Sequence, residues 1–384
     1  MNLKKNHCLI TVAIIFLCGG LGIYVYNDIP LRTSIFRSLM KGDGYIISEA
    51  DTVYSFGHYG IRKWLIKEDD SLELLAENSS FTHNVPIGWL IARGGVVYGD
   101  YLYVSCRSYL GGPTVNDNKN YINGKLLILN KYDLDIIKEY ISDIKFIEAK
   151  IHQQKLIVSG LKGFDVYDIS SPLNPHVVYK YRNEKFTEFQ GFVTYNVDTC
   201  SYIAFARFAE GLSIWDMTSP ENIYPVADIS IQDSLINGKV LPMGLQTCNL
   251  VLDYPYIYAT ISSMAETFNT QNDRRGIMTY DISDLNHIKQ NFVCIPKGNW
   301  AHKRSGDPQP TFIDIFRDKI YINSAEKGIA VFDVSNPEKP VFIEMKNIAD
   351  NNINYVYPIH ITQSGVLLVG SQYLNKIYCI RLNN

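Results

Sequence analysis

One short pattern recurs along the chain and limits the folds open to it. It runs "GFDVYDISSPLNP" from Gly163, "GLSIWDMTSPENIYP" from Gly211 and "GIAVFDVSNPEKP" from Gly328. A fourth copy, "GIMTYDISDLN" from Gly276, keeps the first half and lacks the prolines. A supersecondary unit that repeats along a chain buries its apolar face against its neighbours, so the pattern predicts a fold of serially stacked units.

Each copy belongs to a larger unit of four short strands. An alternating segment such as "FIEAKIH" from Phe146 comes first, then a second strand, the glycine-led third strand and a fourth strand after the prolines. Weaker copies from Val53, Tyr101 and Val366 bring the number of units to seven. The 27 tyrosines and 17 phenylalanines also favour strands. We therefore predict an all-β fold, a β-propeller of seven four-stranded blades. The alternative is six blades and an irregular segment, because the first unit matches the repeat pattern poorly.

The repeated pattern is predicted to be architectural. An aspartate ends each third strand, and a serine or threonine follows two residues later, so short oxygens are available to cap the turn. Proline fixes that turn, and a second proline opens the fourth strand, which favours a position at the blade edge. We assign these structural turn roles to Asp168, Asp216, Asp281, Asp333, Pro172, Pro220 and Pro337.

The full pattern, Gly-apolar-x-apolar-x-Asp-apolar-Ser/Thr-x-Pro-x-x-Pro, resembles the LVIVD repeat of secreted bacterial β-propeller proteins. The resemblance extends from about Gly44 to Leu382 and is clearest in three units. It implies a propeller at the cell surface or in the periplasm. The family pattern contains no catalytic residues, so the resemblance implies none here.

The N-terminus carries a targeting signal. Lys4 and Lys5 precede an apolar run from Cys8 to about Tyr26, about the length of a membrane span. We predict that residues 1–27 are a transmembrane anchor or a cleaved signal peptide; lipidation at Cys18 is a further alternative. All three place the chain outside the cytoplasm, either anchored in the membrane or secreted. Residues 28–43 are predicted to be a linker, with a candidate ring-closing strand within 29–39, and 44–384 the propeller.

Charge and cysteine content predict neither nucleic acid nor metal as a partner. A net charge of -3 gives no basic footprint for nucleic acid. The cysteines outside the N-terminal segment form no CxxC and have no histidine at zinc spacing: Cys106, Cys200, Cys248, Cys294 and Cys379. We predict no metal, no cofactor and no disulfide between distant blades, with Cys200–Cys248 the one pair left open.

Functional candidates lie in the segments that depart from the repeat. The long ones fall between second and third strands or between one unit and the next, and these connections share one face of a propeller. Long connections in compact domains are usually functional or disordered. Their basic and aromatic residues predict a site for an anionic or sugar-like ligand. The candidates are Trp300, His302, Lys303, Arg304, Arg274, Arg275, His83, Trp89, Arg93 and Arg107.

Two functions follow as hypotheses. The favoured one is a binding or interaction scaffold that uses this long-loop face and recognises a glycan, a small anionic ligand or a protein. The alternative is a propeller hydrolase of the lactonase type with a site at the channel mouth. Glu148, Asp314 and His360 lie in or near first strands, where side chains can face the channel. No G-x-S-x-G, H-E-x-x-H or P-loop is present, so we assign no catalytic residue.

Overall fold

The computed structural model describes most of the chain from residue 43 onward. The described residues are 43–57, 59–82, 90–108, 123–183, 188–208, 210–231, 235–236, 239–240, 245–263, 275–296, 312–324, 328–348, 356–371 and 376–382. The predicted anchor or signal segment and the candidate ring-closing strand lie outside these residues.

The described residues contain twenty-nine strands. Blades 1 and 2 comprise β1 (Asp43–Glu49), β2 (Thr52–Gly57), β3 (Gly60–Ile66), β4 (Leu72–Asn78), β5 (Leu90–Tyr98), β6 (Tyr101–Ser108), β7 (Gly124–Asn130) and β8 (Ile136–Ser142). Blades 3 and 4 comprise β9 (Phe146–His152), β10 (Lys155–Gly160), β11 (Gly163–Asp168), β12 (His176–Arg182), β13 (Phe192–Val197), β14 (Cys200–Ala206), β15 (Leu212–Asp216) and β16 (Tyr224–Ile229).

The remaining strands complete the ring. A short hairpin is formed by β17 (Leu235–Ile236) and β18 (Lys239–Val240). Blades 5 to 7 comprise β19 (Leu245–Asp253), β20 (Tyr256–Ser263), β21 (Gly276–Asp281), β22 (Lys289–Cys294), β23 (Ile313–Phe316), β24 (Lys319–Asn323), β25 (Ile329–Asp333), β26 (Val341–Lys346), β27 (Val356–Ile361), β28 (Val366–Ser371) and β29 (Lys376–Arg381).

Each blade is an antiparallel sheet whose strands are paired in chain order. Six sheets have four strands, and the seventh has three among the described residues, β27–β28–β29. The predicted seven-bladed propeller is therefore confirmed, and the six-bladed alternative is wrong. The first unit, whose sequence matches the repeat poorly, still forms a complete blade: β1 to β4 pair antiparallel in chain order, as the strands of the other blades do.

Burial follows the position of each strand in its blade. In blade 3, β10 and β11 are buried almost throughout, because neighbouring blades cover both faces of their sheet. The first strands of successive blades contact one another and so surround the central channel. The fourth strands form the rim, and apolar side chains such as Leu74 and Val341 are exposed there.

Seven apolar clusters of buried side chains lie between successive blades and hold the ring together. The last of them joins the two ends of the described chain, since Ile46 and Val53 of blade 1 pack with Leu368 of blade 7. Burying side chains of this size contributes roughly 1.5–3 kcal/mol each. Arg381 of β29 also donates from Nε to the Asp70 carboxylate at 3.0 Å, across the same junction.

The repeat aspartates accept hydrogen bonds in their turns. Oδ1 of each accepts from the backbone N–H two residues ahead, at 2.8 Å for Ser170, Thr218 and Ser335 and at 3.1 Å for Ser283. The aspartates are, in chain order, Asp168, Asp216, Asp281 and Asp333. Pro172 accepts a hydrogen bond at 2.7 Å from the Tyr103 hydroxyl of the preceding blade, so this turn also contributes to the contact between blades.

Candidate functional site

The strand order gives the disc two different faces. The connections between first and second strands and between third and fourth strands are short, and their ends form the short-turn face. The other connections include 79–89, 109–123, 230–244, 264–275 and 295–312. The strand ends that flank them form the long-loop face, because alternate connections of an antiparallel meander lie at opposite ends of the strands.

Most of the predicted ligand-binding residues lie outside the described residues. These are His83, Trp89, Arg274, Trp300, His302, Lys303 and Arg304. The strand ends that flank them are described and belong to the long-loop face. Their role in binding stays a prediction.

Arg93 lies in strand β5 and not in a loop, which corrects the placement made from the sequence. The register of β5 against β6 shifts between Ala92 and Gly94, so the strand continues through Arg93. The sequence hides this continuation because a bulge interrupts the alternation of apolar residues. The Nε atom of Arg93 is shielded from solvent and makes no hydrogen bond within the described part of the chain.

Arg107 and Arg275 also differ from the exposed loop residues that we expected. Arg107 lies in β6, opposite Ile91 and Gly124. Arg275 directly precedes β21 and is only 7% exposed, and its carbonyl accepts a hydrogen bond from Ile295 at 2.7 Å. Because Arg275 is buried, replacing it would disturb the packing of the fold as well as any binding.

A cationic pair is present at the long-loop face. Lys145 lies in the connection between β8 and β9, at the same end of the blades as Arg107. Burial lowers the pKa of Lys145, and the positive charge of Arg107 lowers it further. The positive charges of Arg107 and Lys145 are therefore close together at the face where the long connections begin.

The short-turn face is strongly acidic. Besides the repeat aspartates, its turns and adjoining strand ends carry Glu49, Asp51, Glu68, Asp69, Asp70, Asp100, Asp133, Asp135, Asp198, Glu221, Asp253, Asp284, Asp318 and Glu338. The hydrogen bond from the Lys155 ammonium, and then those from Ser170, hold the pKa of Asp168 well below its usual range. Fewer lysines and arginines lie in these turns, so the short-turn face disfavours an anionic ligand.

A buried carboxylate joins three blades inside the channel. Glu148 of β9 is only 2% exposed, and it accepts hydrogen bonds from the Tyr45 hydroxyl of blade 1 and from the Phe192 N–H of blade 4 at 3.0 Å. Lys150 Nζ lies 3.1 Å from the same carboxylate. Burial, and then the charge of Glu148, raise the pKa of Tyr45 well above its usual value. The carboxylate is fully occupied by these partners, which makes it a structural link.

A second channel group connects a hydroxyl, an imidazole and a carboxylate. Ser48 Oγ of β1 lies 2.9 Å from His360 Nε2 of β27, and His360 Nδ1 lies 3.1 Å from Asp314 Oδ2 of β23. Ser48 and His360 are each the last residue but one of their strands, so the group faces the short-turn mouth of the channel.

The sequence identified two members of this group and missed the third. Asp314 and His360 were candidates because first strands face the channel. Ser48 is 312 residues away from His360 in the chain, and no local motif marks it. Only the closure of the ring brings blade 1 beside blade 7. Glu148, the third candidate of the hydrolase hypothesis, belongs to the structural link described above.

Cysteines and metal ligands give no further site among the described residues. Cys106, Cys200, Cys248, Cys294 and Cys379 are free thiols. Burial raises the pKa of Cys248 to about 12. Within the described ranges, no group of three or more histidine, cysteine, aspartate or glutamate side chains is arranged to hold a metal ion. A search of the same ranges found no helix that is long and apolar enough to cross a membrane.

Solved structures with a similar fold are numerous and very distant in sequence. A protein from Lactobacillus plantarum has a TM-score of 0.57 at 10% identity, over 85% of this chain and 87% of its own. The β-propeller domain of Cps50 (Swd1) from Myceliophteria thermophila has 0.56 at 10%, over 89% and 96%. The WD40 propeller domain of Doa1 has 0.52 at 11%, over 90% and 95%. This likeness supports the propeller fold and nothing finer.

No family model and no curated protein matches this chain. The LVIVD pattern therefore stays a resemblance of the repeat. The class that the fold defines is the seven-bladed β-propeller, a scaffold with many unrelated functions.

Proposed function

We propose that this propeller is a binding module that takes an anionic, glycan-type ligand on its long-loop face. The observation that carries the proposal is the unequal distribution of connections, since the long ones all start and end at one face. Rigid blades with variable connections on one side are a common way to build a binding surface. The apolar N-terminal segment supports a location outside the cytoplasm, where glycans are available.

Charge supports an anionic ligand on this face. Arg107 and Lys145 lie close enough for one to lower the pKa of the other, and Arg93 has a shielded Nε without a hydrogen bond in the described ranges. A carboxylate or sulfate would form charge-assisted hydrogen bonds with such groups. The opposite face carries the acidic turns and would repel the same ligand.

Binding of a heparin-derived hexasaccharide to the full chain at low salt tests the proposal. We expect Arg107→Ala and Lys145→Ala each to raise Kd up to about tenfold, which corresponds to roughly 1.4 kcal/mol. Lys289→Ala removes the same charge from the short-turn face, where its side chain is 80% exposed, and should leave Kd unchanged. The absence of hexasaccharide binding to the folded wild type, or an equal loss in Lys289→Ala, would contradict the proposal.

A further inference from the structure

We propose that Ser48, His360 and Asp314 form a nucleophilic acyl-transfer site at the short-turn mouth of the central channel, with activity toward small uncharged or cationic esters. This activity is separate from ligand binding on the opposite face. It rests on the hydrogen-bonded order of the three groups, on their rigid positions and on their access to solvent.

The order of the three groups is that of a serine hydrolase triad. The distance of 2.9 Å from Ser48 Oγ to His360 Nε2 and that of 3.1 Å from His360 Nδ1 to Asp314 Oδ2 are both within hydrogen-bonding range. With Nδ1–H donating to the carboxylate, Nε2 has its lone pair free to accept the serine proton. A triad is recognised by this geometry and not by the order of its residues in the chain.

The carboxylate has a fixed orientation. Asp314 Oδ2 accepts a hydrogen bond from Ile361 N–H at 2.7 Å, and Oδ1 accepts one from Ile315 N–H at 2.8 Å. Both donors are backbone groups of strands that pair within their own blades. Asp314 therefore holds His360 as a positioning residue, and the supporting groups belong to regular strands.

The group is more exposed to solvent than the buried carboxylate of Glu148. The side chains of His360 and Asp314 are 26% and 22% exposed, and Ser48 is half-buried. Glu148, by comparison, is 2% exposed and its oxygens are engaged by three partners. The three side chains are thus partly open to solvent, which access by a small substrate requires.

The reaction conserves atoms and electrons without a further reactant except water. Ser48 Oγ attacks the ester carbonyl carbon while its proton passes to His360 Nε2, and the leaving alkoxide takes that proton as the C–O bond breaks. Water then attacks the acyl-serine and gives a proton to Nε2, which returns it to Ser48 Oγ as the acid is released. The net change is ester plus water to acid plus alcohol.

The charge of the mouth selects the substrate class. Glu49 and Asp51 lie in or beside the turn that follows Ser48, and Asp318 shares the turn after β23 with Arg317. Lys131 Nζ is 3.0 Å from the Glu49 carboxylate, so carboxylates outnumber cations here by one. Carboxylates around an opening repel anionic substrates and concentrate cations. Uncharged or cationic esters should therefore be preferred, and the preference for cations should weaken at high salt.

A fluorophosphonate probe tests the nucleophile directly. We expect the full chain to acquire one adduct, mapped by mass spectrometry to Ser48, and Ser48→Ala to lose it. His360→Gln should slow labelling by at least about a hundredfold, because a serine without its base is a weak nucleophile. Ser364, which lies exposed in the first turn of blade 7, is the matched control, and Ser364→Ala should label at the wild-type rate.

Two further measurements separate a triad from a merely structural hydrogen bond. Thermal melts of all variants identify any that fail to fold, and Asp314→Asn should slow labelling even where the melt is unchanged. Acetylcholine should be hydrolysed faster than an anionic succinate half-ester at low salt. A folded wild type without an adduct on Ser48, or with labelling that His360→Gln leaves intact, would overturn the proposal. Neither result would affect hexasaccharide binding on the other face.

Discussion

Asp333 shows how one repeat residue stabilises its turn. Its Oδ1 accepts from both the backbone N–H and the hydroxyl of Ser335, at 2.8 Å and 2.6 Å. The hydrogen bonds from Ser335 lower the pKa of Asp333. A carboxyl whose pKa is lower in the folded state stabilises the fold above its unfolded pKa, and that contribution is lost as the pH falls through the folded value.

Asp333→Ala is expected to lower the free energy of unfolding at pH 7 by about 1 kcal/mol, because turn hydrogen bonds are lost. The difference from wild type should shrink as the pH falls from about 4, the ordinary pKa of an aspartate, through the lower pKa of folded Asp333, where the wild-type carboxyl becomes protonated. Denaturant unfolding of both proteins at pH 7 and in acid measures this difference in the free energy of unfolding. Glu338→Ala in the same turn is the control and should stay near the wild type; a deficit for Asp333→Ala that persists unchanged in acid would contradict the assignment.

Six of the seven third strands have a glycine at or just before their first residue, and β29 is the exception. Gly328 has φ +101° and Gly211 has φ +94°, a region that residues with a Cβ rarely adopt. A Cβ at Gly328 would lie 2.3 Å from the carbonyl oxygen of Lys346 in the neighbouring fourth strand. The repeat therefore needs glycine where the third strand lies beside the end of the fourth.

Gly328→Ala should destabilise the protein by roughly 3 kcal/mol or more, because it combines backbone strain with a backbone clash. Gly99→Ala provides the matched control, since Gly99 also has a positive φ of +60° but open space around its Cβ position. We expect it to cost only about 1 kcal/mol. Thermal melts of the two variants measure the difference, and equal melting temperatures would show that the clash is relieved.

At the scale of the whole molecule, blade 7 differs from the others in having three strands among the described residues. Its outer strand β29 is largely half-buried, whereas the third strand β11 of blade 3 is covered by a fourth strand and almost entirely buried. The sequence placed a candidate closing strand within 29–39, outside the described residues. Within the described part of the chain, blades 1 and 7 are joined by apolar packing and by the Arg381–Asp70 ion pair.

Deletion of residues 1–42 should therefore lower the melting temperature by at least about 5 °C relative to deletion of 1–27 alone. If the predicted closing strand lies within 29–39, only the longer deletion removes its hydrogen bonds and apolar cover. Each kcal/mol is worth a few degrees in a domain of this size. Differential scanning calorimetry of the two truncated chains measures this. Coincident melts would show that the three-stranded blade is sufficient to close the ring.

The sequence by itself determined the fold of this protein. Glycine, aspartate and proline at fixed spacing specify turns through interactions within a few residues, and alternation of apolar and polar residues specifies strands. Both can therefore be predicted from short stretches of sequence. The strand bounds were harder to predict, as Arg93 shows. The start of β5 depends on a bulge between Ala92 and Gly94 and on pairing with β6, and neither is visible in the local sequence.

Only the tertiary structure decided which polar residues meet. Ser48, Asp314 and His360 come from three blades, and their contact depends on ring closure and on the register of each first strand. A shift of one residue in any of these strands would turn the side chain to the other face. Such contacts between residues far apart in the chain leave no local pattern, which is why the sequence pointed to the channel but not to Ser48.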